Sequence, residues 1–267
     1  MFGAPRAGCQ PDWYDTRGDR MNRTGPGHVR RRVAAATMAL VLLSACGSSA
    51  ASEPSGPTIP PDPQAIVEAS AIAMGQVTSV RFELDREGAP VYIDSFESIS
   101  INSAVGQFSV PRSAQAVLEV EVNGSLTTEL GAIALDDEVW LSNPVTGEFE
   151  TLPPGYDIDP SLFFDPENGW RPLMANLSDV ELVGLEDRGG DRYHIRGTAP
   201  AEQVEIITAR LVRDQPVEID FWLHPVTGLV RSAEFTTPFS GGDVDWSLEL
   251  SEYGEDFDIE PPPGASG

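Results

Sequence analysis

From Ser79 onward the chain is patterned with a period of two. Val80, Phe82 and Leu84 alternate with Arg81, Glu83 and Asp85, so an extended segment here is apolar on one side and charged on the other. A helix would scatter these residues around its circumference; a half-buried strand sorts them. The same character recurs at 91–101, 104–111, 115–123, 126–135 and 138–142, and on both sides of Gly189-Gly190 in "VELVGLEDRGGDRYHIRG" (180–197). Three last runs carry Val217/Ile219/Phe221/Leu223, residues 229–237, and Val244/Trp246/Leu248/Leu250. The connections are short and rich in Gly, Pro and Asn, which suits antiparallel hairpins. About ten twisted strands do not stay flat; they curl or close.

Three segments follow a helical period instead. In "DPQAIVEASAIAMGQV" (62–77), Asp62 is a good N-cap and Pro63 a good first helical residue. Ile66, Val67, Ser70, Ala73, Met74 and Val77 then share one face, which predicts a helix over 63–77. A second patch, 160–176, carries Leu162, Phe163, Phe164, Trp170, Leu173 and Met174, with Leu177 following; a third, 200–211, turns Val204, Ile207 and Leu211 inward. The class is therefore α+β. An open curled sheet with helices on its inner face is one outcome, and it can leave an apolar space between the layers. On that reading Ile66, Ala73, Met74, Leu162, Phe163, Phe164, Trp170, Leu173, Met174, Val204 and Ile207 are candidates for a cavity wall. The competing reading makes the same residues ordinary helix-to-sheet core.

The N-terminal part holds a different message. Arg30, Arg31 and Arg32 precede Val33–Leu43, eleven residues without a charge. That is short of the ~20 needed to span a bilayer but fits the apolar region of a secretory signal. It ends in Leu43-Ser44-Ala45-Cys46, which resembles the bacterial lipobox; the resemblance implies a diacylglycerol thioether on Cys46, cleavage before it, and acylation of the new amine. Residues 1–20, with Asp12, Asp15, Asp19 and Trp13, suit no signal, so translation is expected from Met21. The expected organisation is an upstream extension (1–20), a lipoprotein signal (21–45), a lipidated Cys46 with a Ser/Pro/Gly linker (46–62), one domain (63–263) and a short tail (264–267). Two or three acyl chains anchor stably, at ~0.8 kcal/mol per buried methylene. The protein is then expected on the extracytoplasmic face of the cytoplasmic membrane, in the cell envelope.

Composition narrows the partners. Residues 46–267 hold 10 arginines, no lysine and 39 acidic residues, a formal charge of −29. Such a surface repels nucleic acid and anionic headgroups, so attachment must come from the lipid. Cys9 precedes the expected start and Cys46 is the other cysteine, so the mature domain must stand on its core without an intrachain disulfide.

Catalytic chemistry is not legible. His194, within a strand, and His224, at a hairpin, read as structural, and no Gly-x-Ser-x-Gly elbow accompanies them. No Cys/His cluster has zinc spacing. Asp157, Asp159, Asp165 and Glu167 crowd one loop, but their spacing matches no EF-hand, and "GGDVD" (241–245) occurs once where calcium β-rolls repeat. No metal, no cofactor and no enzyme activity are expected. Two hairpins look alike, "WLSNPVTGEF" (140–149) and "WLHPVTGLV" (222–230), and Gly147 and Gly228 can supply the positive φ of their turns.

Several segments in order along the chain are similar to one family. They are the lipobox, the helix after the linker, Leu135-Asp136-Asp137-Glu138-Val139-Trp140, "YDIDPSLFFDPENGWRPLMANL" (156–177), "RYHIRGTAPAEQV" (192–204), "FWLHPVTGLVRSAEF" (221–235) and "LSEYGEDFDIEPPP" (250–263). The chain resembles the mycobacterial LppX/LprA/LprF/LprG lipoproteins. The resemblance implies a curled antiparallel half-barrel with helices over its concave face, LolA/LolB-like. It also implies a non-catalytic role in carrying acylated lipids or lipoglycans through the envelope, by a monomer, with an envelope transporter as a further partner. The alternative is a lipid- or stress-sensing lipoprotein that docks an envelope protein. Strands over 79–123 match the family poorly.

Overall fold

The computed structural model describes residues 61–136, 138–152, 169–208 and 210–262. These fall in one unit, Pro60–Gly267. Cys46, Leu162, Phe163, Phe164 and the acidic loop residues Asp157, Asp159, Asp165 and Glu167 lie outside the described residues.

Among the described residues, twelve antiparallel strands form one open sheet. They are β1 (Ser79–Gly88), β2 (Val91–Tyr92), β3 (Ile99–Ser109), β4 (Ser113–Val122), β5 (Leu126–Leu135), β6 (Glu138–Ser142), β7 (Phe149–Thr151), β8 (Ser178–Asp187), β9 (Asp191–Ala199), β10 (Val217–Leu223), β11 (Val230–Phe239) and β12 (Gly242–Ser251). The spatial order is β7-β6-β5-β4-β3-β1-β12-β11-β10-β9-β8, with β2 pairing β3 off this path. Two hairpin-connected series thus meet where β1 pairs the last strand, β12. The sequence suggested about ten strands; the additional β2 and β7 are two and three residues long, too short to display a period.

The run at 91–101 is not one strand. After β2 the chain turns around Asp94, whose carboxylate accepts the amides of Phe96 (3.2 Å), Ser98 (3.0 Å) and Ile99 (2.8 Å) and the Ser98 hydroxyl (2.7 Å). An aspartate that satisfies three nearby amides offers the backbone an alternative to the ladder, so β3 starts only at Ile99 and continues unbroken through 104–109. Beside it Gly106 is required by space: a Cβ there would lie 2.4 Å from the Phe82 ring on β1.

Among the described residues, one sheet face is buried against three helices, α1 (Pro63–Met74), α2 (Trp170–Ala175) and α3 (Ala201–Ile207). Helix α1 begins as expected, Asp62 accepting the Gln64 amide at 3.1 Å ahead of Pro63. It ends at Met74, three residues short of the expected end, and is capped by Gly75, where a Cβ would meet the Arg171 side chain of α2 at 2.8 Å. Helix α3 ends at Ile207 rather than 211, because the Thr208 hydroxyl donates back to the Val204 carbonyl (2.8 Å) and accepts the Val212 amide (3.1 Å), closing a turn. Val67, Met74, Leu173, Met174, Val204 and Ile207 are all buried between helices and sheet. Ile66 is half-buried against that core and Ala73 is half-buried.

The other face carries the charge. Along β12 the burial alternates strictly, with Val244, Trp246, Leu248 and Leu250 inside and Asp243, Asp245 and Glu249 exposed. The sheet leaves two edges, β7 and β8. On β8 the pairing slips twice, between Ser178 and Glu181 and between Leu182 and Gly184, irregularities of the kind that blunt an edge against further strands.

Candidate functional site: an apolar interlayer

An apolar layer lies between the strands β1, β12, β11 and β10 and the helices α2 and α3. The sheet's side of it follows from register. Ile219 pairs Phe235, Phe221 pairs Ala233, Phe235 pairs Trp246, Ala233 pairs Leu248, and Leu248 pairs Leu84. Cross-strand partners point to the same face, so these residues form one continuous grid. Trp170 of α2 meets it edge-on, its ring 6.4 Å from Phe221 at 76°. Phe235 and Trp246 stack at 5.9 Å. Ile207, Thr208 and Leu211 close the layer from the α3 side.

Two of its polar groups are bonded from within. The Trp246 indole donates to the Thr237 hydroxyl at 2.8 Å, and Thr208 is bonded as described above. Nothing here has the makings of a nucleophile and base; the lining is chemically suited to hydrocarbon. The space left is about 20 Å³, little more than the ~10–15 Å³ that one water occupies by the same measure. That space is too small for an acyl chain. Of the sequence candidates, Trp170 and Ile207 line it, while Met74, Leu173, Met174 and Val204 sit in the surrounding core and Ile66 and Ala73 lie on α1.

The second cluster escaped the sequence. On the outer face His194 of β9 is held between two carboxylates, with Nδ1 2.7 Å from Glu186 of β8 and Nε2 2.6 Å from Asp220 of β10. Its ring stacks on Trp222 at 4.5 Å, the Trp222 indole donates to the second Glu186 oxygen at 2.8 Å, and the Arg188 guanidinium covers Trp222 at 3.6 Å. Arg196 donates to Asp220 at 3.0 Å. The Trp222 indole first, then the His194 ring, with His194 and Arg188 charge adding to them, hold Glu186 below the usual carboxylate range. Asp220 in turn raises Arg196. This network explains why Trp222 is buried although it faces outward. It joins residues 186, 194, 220 and 222, which only strand register brings together; the sequence signal that bears on it is the Gly189-Gly190 turn, which sets β8 against β9.

Beside it runs an open groove of about 470 Å³ lined by Asp85, Glu87, Glu218, Asp220, Glu234 and Asp245. Among the described residues no three potential ligands are grouped so as to hold a metal ion. Residues 241–245 run from the β11–β12 turn into the start of β12, with Gly242 at φ +130°. The two similar hairpins are also alike in structure: Gly147 and Gly228 take φ +73° and +72°. Asn143 and His224 occupy the same place in each, accepting two turn amides with a side-chain atom.

The LppX_LprAFG lipoprotein family model matches residues 62–259. The chain belongs to that family. Solved relatives have the same fold at low identity. LprF from Mycobacterium bovis superposes with a TM-score of 0.56 at 16% identity, covering 76% of this chain and 98% of that one. LppX from Mycobacterium tuberculosis gives 0.53 at 17% identity, covering 76% and 100%. No curated protein matches the chain significantly. The expected α+β half-barrel, with helices over the concave side of an antiparallel sheet, is the fold of these lipoproteins. Among the described residues no helix is long and apolar enough to cross a membrane.

Proposed function

We propose that this family member is a membrane-anchored, non-catalytic carrier that takes acyl chains between its sheet and its helices. The observation that carries the reading is the interlayer: a grid of Leu84, Ile219, Phe221, Ala233, Phe235 and Leu248 facing Trp170 and Ile207, with the polar atoms of Trp246 and Thr208 already bonded internally. Such a lining gives hydrocarbon an apolar environment and offers a reacting group no partner. Because the space is about 20 Å³, loading requires the layers to part. The six-residue α2 and seven-residue α3 are the elements to move, since short helices depend on packing for their stability. Bound lipid then stabilises the open form by mass action, by about 2.7 kcal/mol at a hundredfold excess over Kd. In this reading Cys46 bears the anchor, residues 47–62 tether the domain on the extracytoplasmic face, and it works as a monomer that exchanges lipid with a transporter of the envelope.

Native mass spectrometry of the protein purified from its own membranes, compared with Cys46→Ser, tests both parts. The expected result is a non-covalent acylated lipid on both forms and covalent acylation only where Cys46 is present. Protein that carries no lipid from its membranes, and takes up no fluorescent diacyl lipid afterwards, refutes the carrier. A serine variant that still partitions into detergent refutes the anchor.

A further inference from the structure

Strand register places three basic residues at the end of the sheet where β9 begins, β10 ends and β11 begins. Tyr193 pairs Leu223 and Leu223 pairs Val230, so Arg192 and His224, one residue further out, are neighbours across the ladder. Arg231 fills the irregularity between the Trp222–Ser232 and Leu223–Val230 pairs. Its guanidinium lies 5.5 Å from the Tyr253 ring, and its Nε is buried without a hydrogen-bond partner among the described residues.

In a chain with 42 acidic and 17 basic residues, these arginines are exceptions. Among the described residues neither Arg192 nor Arg231 forms an ion pair. Glu186 stands opposite Arg192 in the ladder, but its two oxygens are taken by His194 and Trp222. Asp191 offers Arg192 its main-chain carbonyl, at 2.7 Å. His224 accepts the amides of Val226 (3.3 Å) and Thr227 (3.2 Å) on Nδ1, which leaves the proton of the neutral ring on Nε2 as a donor. Burial first, then the charges of Arg192 and Arg231, hold His224 below its ordinary value.

We infer that Arg192, His224 and Arg231 form a receiving site for one phosphate group. Guanidinium forks match phosphate oxygens in geometry as well as charge, and the His224 Nε2–H adds a neutral donor. The site lies at the rim covered by α1: the β10–β11 hairpin reaches α1 at Gly228, where a Cβ would be 3.2 Å from the Ala69 carbonyl, and the Tyr253 hydroxyl reaches Met74 Sδ at 3.9 Å. Phe221 of the interlayer is three residues from His224 along the chain, ~10 Å at strand rise. A phospholipid with its chains beneath Trp170 would present its phosphate here. That last step rests on the carrier reading; the anion site does not.

The test uses the full-length protein and the variants Arg192→Gln and Arg231→Gln, each checked for a cooperative melt. One arm compares the melting temperature in inorganic phosphate and in chloride at equal ionic strength. The other compares binding of dioleoyl phosphatidic acid and dioleoylglycerol, which differ in the phosphate. Phosphate should raise the wild-type melting temperature and leave the variants unmoved. Phosphatidic acid should bind the wild type about tenfold more tightly, the share of one charge-assisted contact, and lose that advantage in either variant. A phosphate response without a lipid preference supports the site and makes a soluble phosphate its ligand. Variants that respond like the wild type, or a wild type indifferent in both arms, overturn the inference. Failure to take up either lipid removes the carrier reading, and the phosphate arm then decides the site by itself. If Arg231→Gln does not fold, Arg192→Gln decides.

Discussion

Phe221→Ala probes the interlayer most directly. Phe221 is fully buried on β10, paired with Ala233 on one side and Ile195 on the other, and its ring meets Trp170 of α2. Removing the ring opens roughly 100 Å³, which at ~24 cal/mol per Å³ costs about 2.4 kcal/mol. The lost transfer free energy of a buried aromatic side chain adds about 2 kcal/mol. The sum, about 4 kcal/mol, lies within the ~3–5 kcal/mol seen for Phe→Ala in cores. For a domain of this size it lowers the melting temperature by about 8–16 °C. Urea denaturation and thermal melts of the delipidated protein measure both. The enlarged space adjoins the existing one of about 20 Å³ and is lined by hydrocarbon, so decane should raise the variant's melting temperature more than the wild type's, as an apolar cavity stays dry and accepts apolar guests. A loss below about 1 kcal/mol would mean that α2 does not press on the sheet at Phe221, because a packed ring cannot be removed that cheaply. A full loss with no rescue by hydrocarbon would leave plain core and refute the interlayer as an acyl site.

Asp94→Ala should cost about 1–3 kcal/mol at neutral pH by stranding the amides of Phe96, Ser98 and Ile99. Burial pushes the Asp94 carboxyl up, but the Ser98 hydroxyl and the Ile99, Ser98 and Phe96 amides outweigh it and hold it below its ordinary value. Its stabilisation is therefore present above the unfolded value of ~3.9 and is lost as pH falls through the folded value, so the gap between wild type and variant in acid titrations should shrink there; a gap that widens on acidification refutes the assignment. The paired hairpins offer an internal control. Gly147→Ala meets open space and should cost only the ~1–2 kcal/mol of a left-handed non-glycine residue. Gly228→Ala adds a contact with the Ala69 carbonyl of α1 at 3.2 Å and should cost measurably more by urea denaturation. Equal losses would show that this hairpin does not bear on α1.

How much was legible depended on the range of the interaction. Period-two alternation is local, so the long strands β1, β4, β5, β6, β8, β9, β10, β11 and β12 were recognisable along the chain, as were the Asp62 cap and the φ-positive turns at Gly147, Gly189 and Gly228. The short β2 and β7 were not, since two or three residues carry no period, and the Asp94 turn looked like strand because its hydrogen bonds compete with the ladder without changing the hydrophobic pattern. The resemblance to the lipoprotein family lay in ordered segments of sequence, and it carried the fold.

Other features were settled between strands. The meeting of β1 with β12, the burial of Trp222 under Arg188, the seat of His194 between Glu186 and Asp220, and the gathering of Arg192, His224 and Arg231 all depend on register across three or four strands. A sequence lists these residues from seven to about 170 positions apart, and nothing local says which of them will face each other. The same holds for the interlayer. The sequence identified apolar faces on the helices and on the sheet, because hydrophobic burial is not directional. How closely those faces approach, and hence that the space between Trp170, Ile207 and the strands β10 to β12 is about 20 Å³, depends on shape, and shape exists only once the side chains have packed.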